Sequence, residues 1–475
     1  MSDAMANHER GLSMPNENRM VSKGDGRALL VEDDESPDMD ALSETAAMAL
    51  EVAKELGASA AETSIRCGDG LHIQVRMGEV ETIEHTQGND LGITVYFGHS
   101  TGSAGSTDFG PKALRETVEA ACRIARHTTA DEYSGLADAD LMAVDPPDLD
   151  LMHPWPIEME EAIEIALQAE DAARQCDERI TNSEGAVISR HRSTIVYGNS
   201  HGFLEGFSRS SHGIGCTVIA QNDSGMQRDH WYSSARNPKW LEDPSIIGRT
   251  AAQRTLRRLD ARKISTRNAP VLFEAQVARR LIGQLVEAVS GSNLHRNASF
   301  LSGALDKQVM ASHLHLYERP HLPGGNASAA FDNEGVATDD RDLVRNGVLC
   351  GYVLDSYSAR KLGTVTTGNA GGIHNLTVEA GTKSFDDLVA EMGEGLIVTE
   401  MIGHGANIVT GDLSVGAVGL WVENQAIAFP VEEITIAGNL SDIFLGICEI
   451  GNDIDSKGAI RTGSILTDRI TIAGN

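Results

Sequence analysis

Apolar positions take helical spacing from residue 41 onward. Leu42, Ala46, Ala49, Ala53 and Leu56 fall at i, i+4, i+7, i+11 and i+14, and Gly57 supplies a stop. Alternation follows at Leu71, Ile73, Val75 and Met77. A turn at Gly78-Glu79 leads to Val80 and Ile83, which predicts a hairpin. A short strand at Ile93 to Phe97 precedes a Gly/Ser-rich stretch, His99 to Ser106, that reads as a loop. Leu114, Val118, Ala121 and Ala125 mark a second helix, proline-rich 145–156 a linker, and Glu158 to Cys176 a third helix. Strand-like segments at 186–197 and 213–220 and a helix around Ile246 to Leu259 complete this part.

After Pro270 the pattern changes. A helix over 274–289 is the last long one, with a short candidate at Phe385 to Met392. The rest is short β-branched runs divided by glycine turns. Asn346-Gly347 between apolar pairs is a strong two-residue hairpin signal, and Asn424-Gln425 reads as another. The hexapeptide Ile-Thr-Ile-Ala-Gly-Asn occurs at Ile434–Asn439 and Ile470–Asn475. Two copies are too few for a solenoid and suggest paired strands with equivalent ends. The expected class is α+β: a helix-and-sheet half over 41–265, then a β-rich, barrel- or sandwich-like half over 266–475. Residues 1–40 carry ten acids, four bases and little periodicity, and read as an acidic, disordered leader.

Composition narrows the function classes. A net charge of −30 over 475 residues argues against nucleic acid or an anionic membrane as partner. The six cysteines are spaced at least forty residues apart, so no CxxC zinc or redox pattern exists. With no apolar run of spanning length and no secretory pattern at the N-terminus, the expectation is a soluble cytoplasmic protein with reduced thiols.

Local catalytic motifs of the HExxH, P-loop, GxSxG and DxDxDG kinds are absent. His313 and His315, two apart on an expected strand and near His321, could ligate a metal if another element delivered a carboxylate or thiolate. Otherwise they are half-buried polar side chains on a sheet face. His404, between Gly403 and Gly405, is either a titratable functional group or part of a turn. Asp332, Glu334 and Gly335 form an acidic turn that could serve acid–base or cation chemistry, or cap its own backbone. Cys350 reads as a buried structural thiol.

Several blocks occur in a characteristic order: Phe331-Asp332-Asn333-Glu334-Gly335-Val336, then Ser356 to Gly363, then Thr367 to Asn375 including His374. Thr410 to Ser414 and Pro430 to Asn439 follow. This ensemble resembles the TldD/PmbA family, specifically its PmbA (TldE) branch, over about residues 270–475. The resemblance implies a cytoplasmic zinc peptidase built from two related chains, which trims peptide precursors and degrades small unfolded proteins. In the TldD branch HExxxH supplies two zinc-binding histidines and a general base, and a cysteine near the C-terminus supplies a third ligand. The matching stretch here is Phe273-Glu274-Ala275-Gln276-Val277-Ala278, with both histidine positions apolar, and no cysteine lies between Gly451 and Arg461.

The resemblance therefore implies a subunit that binds no cofactor itself and takes no catalytic or metal-ligand role. A TldD-like chain would supply the zinc, as a heterodimer, or the chain would form a homodimer when alone. Unfolded peptides would be the substrates, with Asp332, Glu334, Gly335, His374, Asn375 and His404 as candidates for the peptide cleft or partner interface. Two alternatives stay open: a self-sufficient metallopeptidase using His313, His315, His321, His374 or His404 with acids, and a non-enzymatic peptide-binding protein.

Overall fold

The computed structural model describes residues 38–474. The anticipated leader lies outside the described residues except for its last three, where Asp38 caps helix α1 (Met39–Glu55) by accepting the Asp40 N–H at 3.0 Å. The first half is a six-stranded antiparallel sheet of β1 (Ala60–Arg76), β2 (Glu79–Phe97), β3 (Ser100–Ser106), β4 (Ile180–Asn199), β5 (Leu204–Asn222) and β6 (Gly225–Ala235). Its order is β3-β2-β1-β4-β5-β6. Odd-numbered apolar residues of β1 face the helices. Ile65 and Cys67 pack with α1 and α2 (Pro111–His127), and Ile73 and Val75 with α3 (Met159–Arg174) and α4 (Pro244–Leu256). Period-two alternation thus puts all four helices on one sheet face. The β1–β2 turn has φ of 53° at Met77 and 83° at Gly78, the double left-handed turn that matches strand twist.

Two differences from the sequence reading appear here. His99 to Ser106 is not a loop: β3 spans most of it, paired with Leu91–Phe97. Gly102 lies so near α2 that a Cβ there would come within 2.4 Å of the Ala121 carbonyl, so the small residues serve helix–strand approach. Strand β6 carried no clear alternation and went unread. It forms by hairpin extension of β5.

The second half closes into a five-stranded barrel. Strand β7 (Arg267–Phe273) runs parallel to Gly395–Ile402, which pairs with Asp412–Glu423. That strand pairs with Ala426–Asn439, which pairs with Ile465–Ala473, and the last returns to β7. The two hexapeptide copies pair antiparallel, with Ile436 opposite Ile472. One core holds Val271, Phe273, Trp421, Ile436 and Ile472 together with Leu281 and Leu285 of helix α5 (Ala275–Ala288). Beside the barrel, a small sheet includes Leu316–Glu318, Arg341–Arg345 and Leu376–Val378. Among the described residues no helix is long and apolar enough to cross a membrane.

Candidate functional site

The stretch that the resemblance sets against the metal-binding motif lies at the β7–α5 junction. Phe273 ends β7 and Ala278 sits in the first turn of α5, both fully buried in the barrel core. Glu274 caps α5 and points the other way, toward α4. Arg257 grips it with two bonds, Nη1 to Oε1 at 2.8 Å and Nη2 to Oε2 at 3.1 Å, and Arg254 Nη1 reaches Oε2 at 3.0 Å. Arg254, Arg257 and Arg258 stand at i, i+3 and i+4, so α4 and its end present them on one face. Asp229 of β6 lies 3.5 Å from Arg254 and 3.6 Å from Arg258, and Glu400 lies 2.8 Å from Arg258. Three guanidiniums thus meet three carboxylates, all but Glu400 and Arg257 nearly out of solvent. Fork geometry and mutual neutralisation make such burial tolerable.

This network floors a cleft of about 490 Å³ between the two halves. Trp231, Glu242, Gln276, Asp455 and Lys457 line it with Arg254 and Glu274. Lys457 Nζ stands 3.9 Å over the Trp231 ring and 3.3 Å from Glu242, while Arg279 donates to the Tyr232 hydroxyl at 2.9 Å. Guanidinium, ammonium and carboxamide groups beside already paired carboxylates are the wrong donor set for zinc, which takes imidazole, thiolate or free carboxylate. Among the described residues no cluster of three or more His, Cys, Asp or Glu side chains could hold a metal.

Most of the other candidates gather elsewhere, where the second half meets the first. Asp332 accepts the N–H groups of Glu334 at 2.9 Å, Val336 at 3.0 Å and Ala370 at 2.9 Å, so it caps its own turn. Burial raises its carboxyl above the usual range against those bonds. Gly335, at φ 76°, lies where a Cβ would come within 2.9 Å of the Tyr197 ring. Glu334 accepts the Ser356 N–H at 3.0 Å, and its pKa is pushed up to about 7, first by loss of solvent and further by Asp332 and Asp355. Beside it, Tyr96 and Tyr197 both donate to Glu62, at 2.7 and 2.8 Å, and burial raises both phenols.

His374 and Asn375 close the neighbouring loop. The His374 N–H donates to Glu318 at 2.7 Å, and Asn375 Nδ2 to the Ser328 hydroxyl at 2.7 Å. The Ser356 to Gly363 block also faces the first half: Tyr357 donates to Asp131 at 2.8 Å, and Arg360 donates to the carbonyls of Gly135 and Leu136. His404 is separate, exposed on a smaller crevice beside Arg280 and Met401.

His313 and His315 precede the strand that was to carry them, since it begins at Leu316. His313 is exposed, and His315 is held by Asp342 at 2.8 Å, with Glu379 at 3.5 Å. His321 shares a bond with the Thr338 hydroxyl at 3.1 Å. Cys350 is exposed rather than buried, because it falls just past the strand Val348–Leu349 where the chain turns outward. Unread in the sequence were Asp229, Trp231, Arg254, Arg257 and Lys457. The i, i+3, i+4 arginines were the available signal, but their partners lie on other elements.

Profiles of the first, central and C-terminal domains of the PmbA/TldA metallopeptidases match residues 64–125, 153–259 and 266–474. Metalloprotease PmbA of Escherichia coli O157:H7 is 46% identical over 433 residues, which cover 91% of this chain and 96% of that one. The PmbA homolog of Haemophilus influenzae is 44% identical, with the same coverage of each chain. A crystal structure from Bacteroides thetaiotaomicron, described as a candidate modulator of DNA gyrase, superposes with TM-score 0.87 at 26% identity over 92% of this chain and 99% of that one. TldE from Thermococcus kodakarensis shares the fold, with TM-score 0.76 at 20% identity over 90% and 99%. With near full-length identity of this order and all three domain profiles matched, the chain belongs to the PmbA/TldD metallopeptidase family.

Proposed function

We propose that this chain is the non-metallated subunit of a cytoplasmic two-chain peptidase, in which a TldD-like partner supplies the zinc and the general base. The observation that carries the reading is the double arginine grip on Glu274 beside two apolar, buried motif positions. Both oxygens of this carboxylate are taken up by guanidiniums, and Phe273 and Ala278 offer a metal nothing. The metalloprotease names of the relatives support the reaction class, and the TldE fold likeness supports the subunit assignment.

In this reading the partner binds through this chain's second half, and together they enclose a cleft. An extended peptide lies there along a sheet edge, and main-chain hydrogen bonds give tolerance of sequence. Small unfolded proteins and peptide precursors are the substrates. Without its partner the chain forms a homodimer.

Metal analysis of the purified chain after zinc incubation and desalting tests the subunit assignment. Far less than one zinc per chain is expected. Near-stoichiometric zinc, lost when histidines of this chain are replaced, would overturn it.

A further inference from the structure

We propose that the free edge of β2 over Glu79–Asp90 is a docking site for an extended cationic peptide segment, which joins the six-stranded sheet as a further strand. Strand β3 pairs only with Leu91–Phe97, so the preceding twelve residues of β2 pair with β1 alone. Among the described residues no backbone hydrogen bond reaches their outer side. At the rise of a strand this is an open edge of about 40 Å. Folded proteins usually blunt such edges with short strands, charged side chains (lysine above all), prolines, bulges or a covering segment, and of these the present edge carries only acidic charge along its length. Here the run is long, contains no proline, and has its register shift only at the tip, opposite Gln74 and Val75.

The edge is held in place rather than left to fray. Glu170, fully buried on α3, accepts the N–H groups of Met77 and Gly78, both at 2.8 Å. A buried carboxylate is costly unless so bonded, and the pair of bonds fixes the hairpin tip to the helix. Gln74 and Arg76 hold Glu81 at 2.9 and 3.4 Å, stiffening the last turn of the ladder.

Charge selects the occupant. Glu79, Glu81, Glu84 and Asp90 line the run, and its one basic side chain is His85. Arg76, His72 and Arg66 of β1 stand opposite Glu79, Glu84 and Asp90 on the inner side, so the acids border the open edge. Pairing with a second copy would set carboxylates against carboxylates across the strands, which is unfavourable. A strand bearing Lys or Arg at alternate positions meets complementary charge instead. Its other side chains would cover Val80 and Ile83, each 42% exposed. The proposal needs neither metal nor partner subunit, so it stands or falls apart from the function proposed above.

Fluorescence anisotropy at physiological salt with the full chain tests it. The probe is a labelled peptide of about ten residues alternating Lys and Thr, compared with an equally charged peptide interrupted by prolines. The alternating peptide is expected to bind at least about tenfold more tightly than the interrupted one. The same loss is expected in the variant Glu79→Lys with Glu84→Lys, but not in Glu51→Lys with Glu116→Lys, exposed acids on α1 and α2. Equal binding of both peptides, or equal loss in both variants, would mean general attraction to an acidic protein and overturn the proposal.

Discussion

The Glu274 side chain is held by arginines that arrive from a different part of the chain, while its backbone carbonyl accepts the Val277 and Ala278 N–H groups at the start of α5. Replacing it with alanine leaves Arg254 and Arg257 facing each other with their shared counter-charge gone. Breaking a buried pair from one side costs about 3–5 kcal/mol. Urea unfolding of Glu274→Ala should register a loss of that size, with zinc content unchanged. A second residue-scale prediction concerns Glu334, whose folded pKa of about 7 lies above its ordinary 4.5. The folded chain therefore holds a proton that the unfolded chain releases. The stabilisation is full below about pH 4.5 and is lost as pH rises toward 7. Across that window the stability of the native protein should fall relative to Glu334→Gln by up to roughly 3 kcal/mol. Asp332 shifts in the same direction, so the variant keeps a residual slope. Parallel melting curves at pH 5 and 7.5 for the two proteins would contradict this.

Elements differed in how plainly the sequence showed them. Alanine-rich helical spacing marked α1 to α4, because each helix buries a narrow stripe against one sheet face. The Asn346-Gly347 and Asn424-Gln425 turns were legible, since both central residues need positive φ and asparagine tolerates it. Strand β3 was not, because serine and glycine have loop chemistry and only pairing with Leu91–Phe97 makes them a strand. The candidate site divided the same way. The apolar residues at Phe273 and Ala278 could be read directly, whereas the arginine grip depends on the end of α4 meeting the β7–α5 junction and leaves no local pattern. At this scale the Ser356 to Gly363 block docks the first half: the Arg360 guanidinium also donates to Tyr133 O at 3.3 Å and to Asp138 at 3.0 Å. Arg360→Leu should cost about 1–3 kcal/mol and speed amide exchange over residues 131–138 while leaving the barrel strands protected. Unchanged exchange there would show that other contacts hold the loop.

For the molecule as a whole, a helix-backed sheet and a barrel-bearing half meet along several contacts, two of which hold candidate residues. One is the ion-paired cleft around Glu274, and the other is the joint of Asp332, Glu334 and the tyrosines. Among the described residues neither holds a cluster of His, Cys, Asp or Glu that could bind a metal, and the proposed function assigns the chemistry to a second chain. The most direct measurement is hydrolysis of an unfolded peptide by this chain alone, by a TldD-type partner alone, and by the two mixed, each with and without a chelator. The account predicts full cleavage only in the mixture, abolished by the chelator and preserved in Glu274→Gln of this chain. Cleavage by the pure chain, lost in Glu274→Gln, would contradict it.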